Sequence, residues 1–468
     1  MVSDALPIAS LFERVDPARL ALVHGEERWT FGKLERECAR LSGWLAERNV
    51  RKGDFVSFSL QNGPLFIALV LAIYRCGAIP APLSTKLTDK ERSEIIALLD
   101  PALDIDESAL EQALLVDWEP VRFHSISPSW KACSSGGSTG RPKVIVDARP
   151  ASFPEGFDFI GIPADATVLV PGPLYHNAPF SCAIFALWRG SSVVTMPHFD
   201  AAAALDLIER ERVAWALMVP TMMSRILSLP ESERAKRDLS SWEMVVHTAA
   251  PIAQWQKRQW IDWLGADHIW EVYGATEGIV RCWIGGREWI DRPGSVGRPI
   301  DGTRIRIVDP SGQDLSSGKT GEIFAMPPGG PGSTYRYIGA ERRIAENGWE
   351  SVGDAGWIDE DGYLYLADRM DDLIISGGVN VWPAEVEEDI LRHPEIRSCA
   401  VFGVPDDDLG SRVHAVVETD AGLTLDRLRE FLDCHLSRAK QPRSIELHAK
   451  RVRDDAGKFR KPRQETSA

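Results

Sequence analysis

The order of apolar and polar positions in the first part of the chain predicts helices that alternate with short strands. Residues 34–47 repeat apolar side chains with the period of a helix, and Thr30 stands where a hydroxyl can cap the first turn. Apolar and polar positions alternate over residues 55–60, which predicts a strand, and residues 65–74 predict a buried helix. Such alternation is typical of an α/β sheet covered by helices.

Several later apolar runs end in small, polar or charged residues. Strands are predicted at residues 144–146, 168–170, 192–196, 215–219, 245–251 and 269–273. The range 245–251 includes the loop that follows its strand. Helices are expected at residues 89–99 and 110–115. Because parallel strands present their carboxyl ends along one edge of a sheet, the polar endings are expected to share one ligand-binding crevice.

The pattern changes in the last third of the chain. Residues 304–308 and 322–325 alternate like antiparallel strands, and residues 370–379 combine charges with paired glycines, as a hinge does. A second domain is indicated by helices at residues 384–391 and 425–435 and strands at residues 399–404 and 413–417. We therefore expect a large N-terminal layered α/β domain with a β-rich end, residues 1–370, and a small mobile α+β domain, residues 371–468.

Composition narrows the function classes. The chain has 468 residues and a net charge of −15, which disfavours nonspecific binding to nucleic acid. No apolar run reaches the roughly 20 residues that a membrane helix needs. The seven cysteines are scattered without paired spacing, so neither a disulfide framework nor a zinc site is expected. The N-terminal residues lack the apolar core of a signal peptide, and the expected location is the cytoplasm.

Residues 133–147, CSSGGSTGRPKVIVD, hold the densest group of candidate ligands. Serine and threonine hydroxyls, glycines that expose backbone N–H groups, and the cations Arg141 and Lys143 together suit a polyphosphate. The segment is not a Walker loop, because no Gly-Lys-Ser/Thr opens a helix. Alone, a loop rich in glycine and serine is more often a plain linker, so the later motifs decide.

Five motifs in order resemble the adenylate-forming superfamily of acyl-CoA synthetases, luciferases and peptide-synthetase adenylation domains. They are SGGSTGRPK, YGATEG, VGD, DRMDDLIISGGVNVWPAEVE and DDAGKFRKP. The resemblance spans nearly the whole chain, and SGGVN followed by WPAE is similar to the acyl-CoA ligase branch. It implies an AMP-forming acid–thiol ligase. Such an enzyme converts a carboxylate and ATP to an acyl-adenylate and then transfers the acyl group to coenzyme A.

The resemblance also implies roles for the residues that match these motifs. Thr276 would contact the α-phosphate, and Glu277 would hold Mg²⁺, a hard cation suited to carboxylate oxygen. Tyr273 would lie along the adenine, Gly274 would also contact the cofactor, and Asp354 and Arg369 would hold the ribose hydroxyls. The β- and γ-phosphates would be wrapped by Ser135, Gly136, Gly137, Ser138, Thr139, Gly140 and Lys143.

The small domain is implied to act by changing its orientation. Lys458 matches the lysine that bridges the carboxylate and the α-phosphate, so the domain would close for adenylation and turn away afterwards. Asp371 matches the pivot of that rotation. Gly377 and Gly378 would let the pantetheine arm of coenzyme A pass close to the backbone.

The segment PGPLYHNAPF, residues 171–180, indicates the type of acid, because it resembles a segment of ligases for bulky ring-bearing acids. His176, also a catalytic candidate, and Asn177 would orient the carboxylate. The remaining acid-site candidates are Ala178, Phe180, His247, Ala249 and Gly274. Neither this stretch nor HTAAP, residues 247–251, contains Lys or Arg. A single-carboxylate, largely apolar acid of polycyclic, terpenoid or steroid type is therefore expected.

Other interpretations stay open at this point. The acid could be a fatty acid, the acyl group could be passed to a carrier protein, or the enzyme could perform mainly one half-reaction. The last option follows from departures such as Val144, where many relatives have Gly. A non-catalytic binding protein is disfavoured by Lys458, Glu277 and Asp354. The expected partners are the acid, ATP and coenzyme A, and the sequence leaves a homodimer open.

Overall fold

The computed structural model describes residues 5–121, 125–136, 142–406, 408–419, 422–453 and 459. Its helices are α1 Phe31–Glu47, α2 Pro64–Arg75, α3 Asp89–Leu99, α4 Glu107–Ala113, α5 Asn177–Trp188, α6 Ala201–Arg210, α7 Pro220–Leu227, α8 Glu231–Arg234, α9 Gln254–Leu264, α10 Gly286–Asp291, α11 Pro383–Ile390 and α12 Leu425–Asp433.

The strands follow the chain in this order: β1 Ala5–Pro7, β2 Leu20–His24, β3 Glu27–Thr30, β4 Phe55–Phe58, β5 Ile79–Pro82, β6 Leu103–Ile105, β7 Ala132–Gly136, β8 Pro142–Asp147, β9 Ser152–Pro154, β10 Thr167–Val170, β11 Ser192–Thr195, β12 Trp215–Met218, β13 Met244–His247, β14 Ile269–Gly274, β15 Arg281–Gly285, β16 Ser295–Pro299, β17 Arg304–Val308, β18 Gly321–Met326, β19 Tyr335–Ile338, β20 Arg343–Ile344, β21 Glu350–Ser351, β22 Asp354–Ile358, β23 Leu364–Arg369, β24 Ile374–Ser376, β25 Val379–Val381, β26 Ile396–Asp406, β27 Gly410–Thr419 and β28 Ser444–His448.

The largest sheet has a parallel centre. Strands β2, β11, β10, β12, β13 and β14 lie side by side in this order, and all neighbouring pairs among them are parallel. Helices α5, α6, α7 and α9 connect successive strands from β10 to β14. The loops after β10, β12, β13 and β14 therefore leave the same edge of the sheet, as the sequence predicts.

Beyond β14 the sheet becomes antiparallel. Strands β15, β16, β23, β22 and β18 continue it in this order, and β17 pairs with β18 over the register Arg304↔Met326 to Val308↔Glu322. This region is the β-rich end of the predicted large domain. Its strands matter for the site because Asp354 begins β22 and Arg369 ends β23, and the register pairs the two residues.

Two smaller sheets complete the large domain. Strands β5, β4 and β6 form a parallel sheet beside α1 and α2. Strands β7 and β8 form an antiparallel hairpin that leads into and out of the glycine-rich segment, and β19 pairs with β8 on its other side. The phosphate-loop candidates thus stand on a sheet separate from the large one.

The elements form where the sequence supplies caps and apolar faces. The Thr30 hydroxyl accepts a hydrogen bond from the Lys33 backbone N–H at 3.2 Å, which confirms the predicted start of α1. The predicted helix 89–99 coincides with α3, which begins with a capping box between Thr88 and Glu91. In contrast, α5 buries residues on every side, so the sequence shows no alternation of polar and apolar faces that would predict a helix there.

The C-terminal part forms a small α+β domain with its own apolar core. Helices α11 and α12 pack on strands β24 to β28 through buried side chains that include Val386, Ile390, Val413 and Leu428. The architecture of a large and a small domain is as expected. The boundary at residue 370 and the mobility of the small domain stay predictions. In the described part of the chain, helices are too short or too polar to cross a membrane.

Candidate active site

The candidates for adenine and ribose come together at the junction of the parallel and antiparallel strands. The Tyr273 hydroxyl, at the end of β14, donates to Asp354 Oδ2 at 2.6 Å. Arg369 Nη1 lies 3.2 Å from Asp354 Oδ1 and donates to the Val352 carbonyl at 2.6 Å. Burial, and next the Asp354 carboxylate, raise the pKa of the Tyr273 phenol well above its usual value. The phenol therefore remains a donor that holds this carboxylate in place.

A second group of side chains lies at the base of the glycine-rich segment. Lys143 Nζ is 3.3 Å from Glu277 Oε1 and 2.9 Å from the Tyr337 hydroxyl, which itself donates to Glu277 Oε1 at 2.6 Å. Lys143 also lies 4.2 Å from the centre of the Tyr337 ring. Cation, carboxylate and phenol thus converge where the phosphates of ATP are expected.

Tyr337 was not among the residues predicted for the site. It lies on β19, opposite Ile145 of β8, so sheet pairing brings it beside the phosphate-loop hairpin. Burial, followed by the Glu277 charge, raises the pKa of its phenol. In the sequence, Tyr335 and Tyr337 alternate as the core residues of a short strand do, and this pattern gives no sign of a role in a site. No local signal connects Tyr337 with Lys143, 194 residues earlier.

The residues around Glu277 fit a magnesium ion that is bound largely by nucleotide. Among the described residues, no group of three or more His, Cys, Asp or Glu side chains could hold a metal ion by itself. Mg²⁺ in nucleotide sites commonly takes one or two carboxylates together with phosphate oxygens. Glu277 can supply such a carboxylate, and Mg²⁺ would neutralise developing phosphate charge there.

Part of the predicted phosphate loop cannot be located. Gly137, Ser138, Thr139 and Gly140 lie outside the described residues. The backbone of Ser135 pairs with Lys143, and that of Gly136 pairs with Pro142. Thr276 immediately precedes Glu277 in the turn after β14, where the Gly278 N–H donates to the Ala275 carbonyl at 2.9 Å. The roles of these residues stay predictions.

The predicted acid loops follow β10 and β13, which are separated by β12 in the sheet. His176 is the N-cap residue of α5, and its ring centre lies 4.6 Å from that of Tyr175. Asn177 and Ala178 are half-buried in the first turn. Phe180, in contrast, is 1% exposed and packs 6.3 Å from Trp130 in the main core, so it supports the loop from below.

The second acid loop has a strained backbone. Ala249 is exposed and has φ = 78°, in the left-handed region that favours glycine. A non-glycine residue held there costs of order 1 kcal/mol, and such strain tends to occur at functional sites. Gly274, at the end of β14, is exposed beside this region of the sheet edge. Their contacts with the acid stay predictions.

His247 lies below that loop rather than in it. The side chain is fully buried, and neither ring nitrogen has a hydrogen-bond partner among the described residues. Its Nε2 is 3.6 Å from Glu271 Oε2, which Lys257 Nζ contacts at 2.5 Å. Burial, and next the Lys257 charge, lower the pKa of His247 well below its usual value. A neutral imidazole therefore supports the acid loop from inside the domain.

The hinge candidates lie at the start of the small domain. Asp371 is exposed in the 3₁₀ helix Met370–Asp372, directly after Arg369. Gly377 and Gly378, with φ of 56° and 80°, form the tight turn between β24 and β25. Both glycines need the left-handed region, which explains the pair at this turn. Whether Asp371 is the pivot remains a prediction.

Lys458 lies outside the described residues, and the nearest described residues before and after it, Arg453 and Phe459, contact the small domain. Arg453 contacts both carboxylate oxygens of Glu387 at 2.7 Å and donates to the Cys399 carbonyl. Phe459 stacks on Phe402 of β26 with a centroid distance of 5.5 Å. A catalytic lysine between these two anchors would move together with the small domain.

Comparison with known proteins agrees with this geometry. Residues 12–127 and 133–334 match the AMP-binding enzyme family, and residues 385–458 match the AMP-binding enzyme C-terminal domain. The chain is 30% identical to a feruloyl-CoA synthase from an Amycolatopsis species, covering 96% of each protein. It is 28% identical to a 2-succinylbenzoate–CoA ligase from Bacillus pumilus, covering 96% of this chain and 95% of the relative.

Solved structures show the same fold. The o-succinylbenzoate CoA synthetase from Bacillus subtilis, in complex with its acyl-adenylate, superposes with a TM-score of 0.82 at 24% identity, covering 97% of both chains. ATP-bound MatB from Rhodopseudomonas palustris gives a TM-score of 0.80 at 25% identity, covering 97% of this chain and 96% of the other. The chain belongs to the AMP-binding enzyme family, in its branch of AMP-forming acyl-CoA ligases, which act with ATP, Mg²⁺ and coenzyme A.

Proposed function

We propose that this ligase activates a ring-bearing monocarboxylic acid, with an aryl-substituted acid as its preferred substrate. The observation that carries the proposal is the chemistry of the loops after β10 and β13. Over residues 171–180 and 247–251 they contain small and apolar side chains, two histidines, one asparagine, one tyrosine and one threonine, without any Asp, Glu, Lys or Arg. A pocket rimmed by such residues suits an apolar body that carries one carboxylate.

The names of similar proteins support an aryl-substituted acid rather than the polycyclic acid that the sequence predicts. The feruloyl-CoA synthase, the 2-succinylbenzoate–CoA ligase and an indoleacetate–CoA ligase from Aromatoleum aromaticum, 28% identical to this chain, are all named for acids that contain an aromatic ring. A polycyclic or terpenoid acid is the second candidate, because Ala249 and Ala250 keep the facing loop small.

The substrate test is a comparison of kcat/KM over a panel of acids with ATP, Mg²⁺ and coenzyme A. The panel contains ferulate, indoleacetate, the polycyclic acid cholate, dodecanoate and acetate. Because each buried methylene contributes about 0.8 kcal/mol, a ring-bearing acid should exceed acetate by roughly a hundredfold or more. An aryl acid at the top supports the proposal, cholate at the top favours the second candidate, and dodecanoate or acetate at the top overturns both.

A second measurement identifies the acceptor. Formation of AMP and of the acyl thioester is followed with coenzyme A and, separately, with a phosphopantetheinyl carrier protein. Thioester formation only with the carrier protein would contradict the proposal. ATP–pyrophosphate exchange with the best acid, measured in parallel, tests whether adenylation is slow compared with thioester formation from supplied adenylate.

A further inference from the structure

A lysine is buried where the phosphate-loop hairpin meets helix α5. Lys131 immediately precedes β7, and its side chain is 5% exposed. Its Nζ donates to Asn177 Oδ1 and, at 2.9 Å, to Ser181 Oγ, one turn further along the helix. Nζ also lies 4.1 Å from the centre of the Trp130 ring. The ammonium is therefore held directly against the beginning of α5.

The surrounding charges leave this cluster positive. Asp147 Oδ2 is 3.8 Å from Lys131 Nζ, but both oxygens of that carboxylate accept hydrogen bonds from Arg149, at 2.6 Å and 2.9 Å. Two cations thus share the Asp147 carboxylate, while the charge of Asp301 acts on Arg149 and not on Lys131. A buried charge is costly unless it is compensated, and here the compensation from ionic groups is incomplete.

The Lys131 ammonium lies beside a second source of positive potential, the N-terminus of α5. Backbone N–H groups give the N-terminus of a helix a partial positive charge, and α5 begins at Asn177. An ammonium beside that terminus is unfavourable by itself, whereas an anion there would relieve both effects.

We propose that Lys131 is a positioning residue for the substrate acid. Through Asn177 and Ser181 it fixes the start of α5, and its buried charge makes the site prefer a carboxylate to a neutral group of the same shape. The inference rests on the proposed function, because it takes the start of α5 as the binding place of the acid. The acid loops contain no cation of their own, and the fold supplies one from the neighbouring hairpin.

The test compares binding of indoleacetate with binding of tryptophol, the corresponding alcohol. We expect the wild-type enzyme to bind the acid at least about tenfold more tightly than the alcohol. Lys131→Met should lose this preference while the KM for ATP stays unchanged, and Lys131→Arg should restore most of it. A Lys131→Met enzyme that keeps the preference, or that loses affinity for acid and alcohol equally, overturns the inference.

The matched control is Lys33→Met, which removes another lysine that lies over a tryptophan ring, at 4.4 Å from the centre of Trp29. Its acid preference should equal that of the wild type. If Lys131→Met does not fold, Ser181→Asp neutralises the same charge from a buried position one helical turn further along and should cause the same loss; a retained preference then overturns the inference. A wild type that uses none of the ring-bearing acids overturns the proposed function instead, and the probes become the acid it does use and the matching alcohol.

Discussion

The hydroxyl of Tyr273 donates to the carboxylate of Asp354 at 2.6 Å, and this bond joins the last parallel strand of the large sheet to its antiparallel extension. The two residues are 81 positions apart in the chain. A phenol that stays protonated holds a carboxylate whose other oxygen faces Arg369. The carboxylate is therefore held in one orientation by side chains from two different strands, as preorganised binding of a ribose would require.

Asp354→Asn should raise the KM for ATP by about tenfold to about a hundredfold, because hydrogen bonds from ribose to a charged acceptor are replaced by weaker ones. The KM for the acid should change little. Acid-dependent ATP–pyrophosphate exchange measures both. Asp361→Asn, at an exposed turn in the same region, is the control and should behave like the wild type. A rise confined to the KM of the acid would contradict the assignment.

Tyr337→Phe keeps the ring but removes the hydroxyl that links Lys143 and Glu277. We expect the Mg²⁺ concentration for half-maximal adenylation to rise by about tenfold, since a lost charge-assisted hydrogen bond leaves the Glu277 carboxylate less well oriented. Titration of ATP binding with Mg²⁺ by calorimetry provides a readout that is independent of turnover.

Tyr335→Phe is the matched control for that experiment. It lies on the same strand, with its ring centre 4.8 Å from that of Tyr337, and removal of its hydroxyl leaves the hydroxyl that links Lys143 and Glu277 in place. Its Mg²⁺ dependence should equal that of the wild type. If the two variants shift the Mg²⁺ requirement equally, the effect comes from repacking of β19, and the role of the Tyr337 hydroxyl is wrong.

Lys458→Ala should abolish adenylation, by at least about a hundredfold, because it removes the cation expected between the carboxylate and the α-phosphate. Thioester formation from supplied acyl-adenylate should be largely spared. Lys450→Ala, an exposed lysine of the same domain, is the control. Equal losses in both half-reactions would refute the assignment, since a lysine that acts in one domain orientation cannot serve both steps.

His247 makes the large domain sensitive to acid. Burial keeps its imidazole neutral in the folded chain, whereas the unfolded chain takes up a proton near pH 6.5. Below that pH the unfolded state binds more protons, so stability falls as the pH falls. Burial lowers the pKa of His24, His393 and His414 in the same direction. The contribution of His247 is therefore read from a variant.

In His247→Gln, the loss of unfolding free energy between about pH 7.5 and about pH 5.5 should be smaller than in the wild type, by up to about 1.4 kcal/mol per pH unit below 6.5. Chemical denaturation at the two pH values measures this difference. An identical pH dependence in His247→Gln and the wild type would show that its titration does not contribute.

Sequence patterns predicted the parts of the fold that depend on local chemistry. Thr30 starts α1, and helix 89–99 appears as α3, whereas the proximity of Tyr273, Asp354 and Arg369 was expected only from the family resemblance. The patterns missed α5, which buries residues on every side and offers no contrast between two faces, although the apolar run of the equally buried α2 was recognised as a helix. Asn177 was expected to face the acid, yet its carboxamide oxygen accepts from Lys131.

The missed site residues share one property: their roles arise from long-range pairing. Tyr337 reaches Lys143 because β19 pairs with β8, and Lys131 reaches α5 because the hairpin packs on that helix. In the sequence, each is an ordinary residue beside a strand. Only the motifs that carry a family resemblance could identify distant partners in advance.

The separate sheet of β7, β8 and β19 gives the enzyme a modular construction. It carries Lys143 and Tyr337 of the expected phosphate site, while the loops after β10 and β13 of the large sheet hold the residues proposed to recognise the acid. On this assignment, the loops after β10 and β13 could change during evolution while the sheet of β7, β8 and β19, with its phosphate-site candidates, stays the same. Lys131 connects the two parts, because it precedes β7 and its ammonium donates hydrogen bonds to Asn177 and Ser181 of α5. We therefore expect it to restrict such changes to substrates that keep their carboxylate at the start of α5.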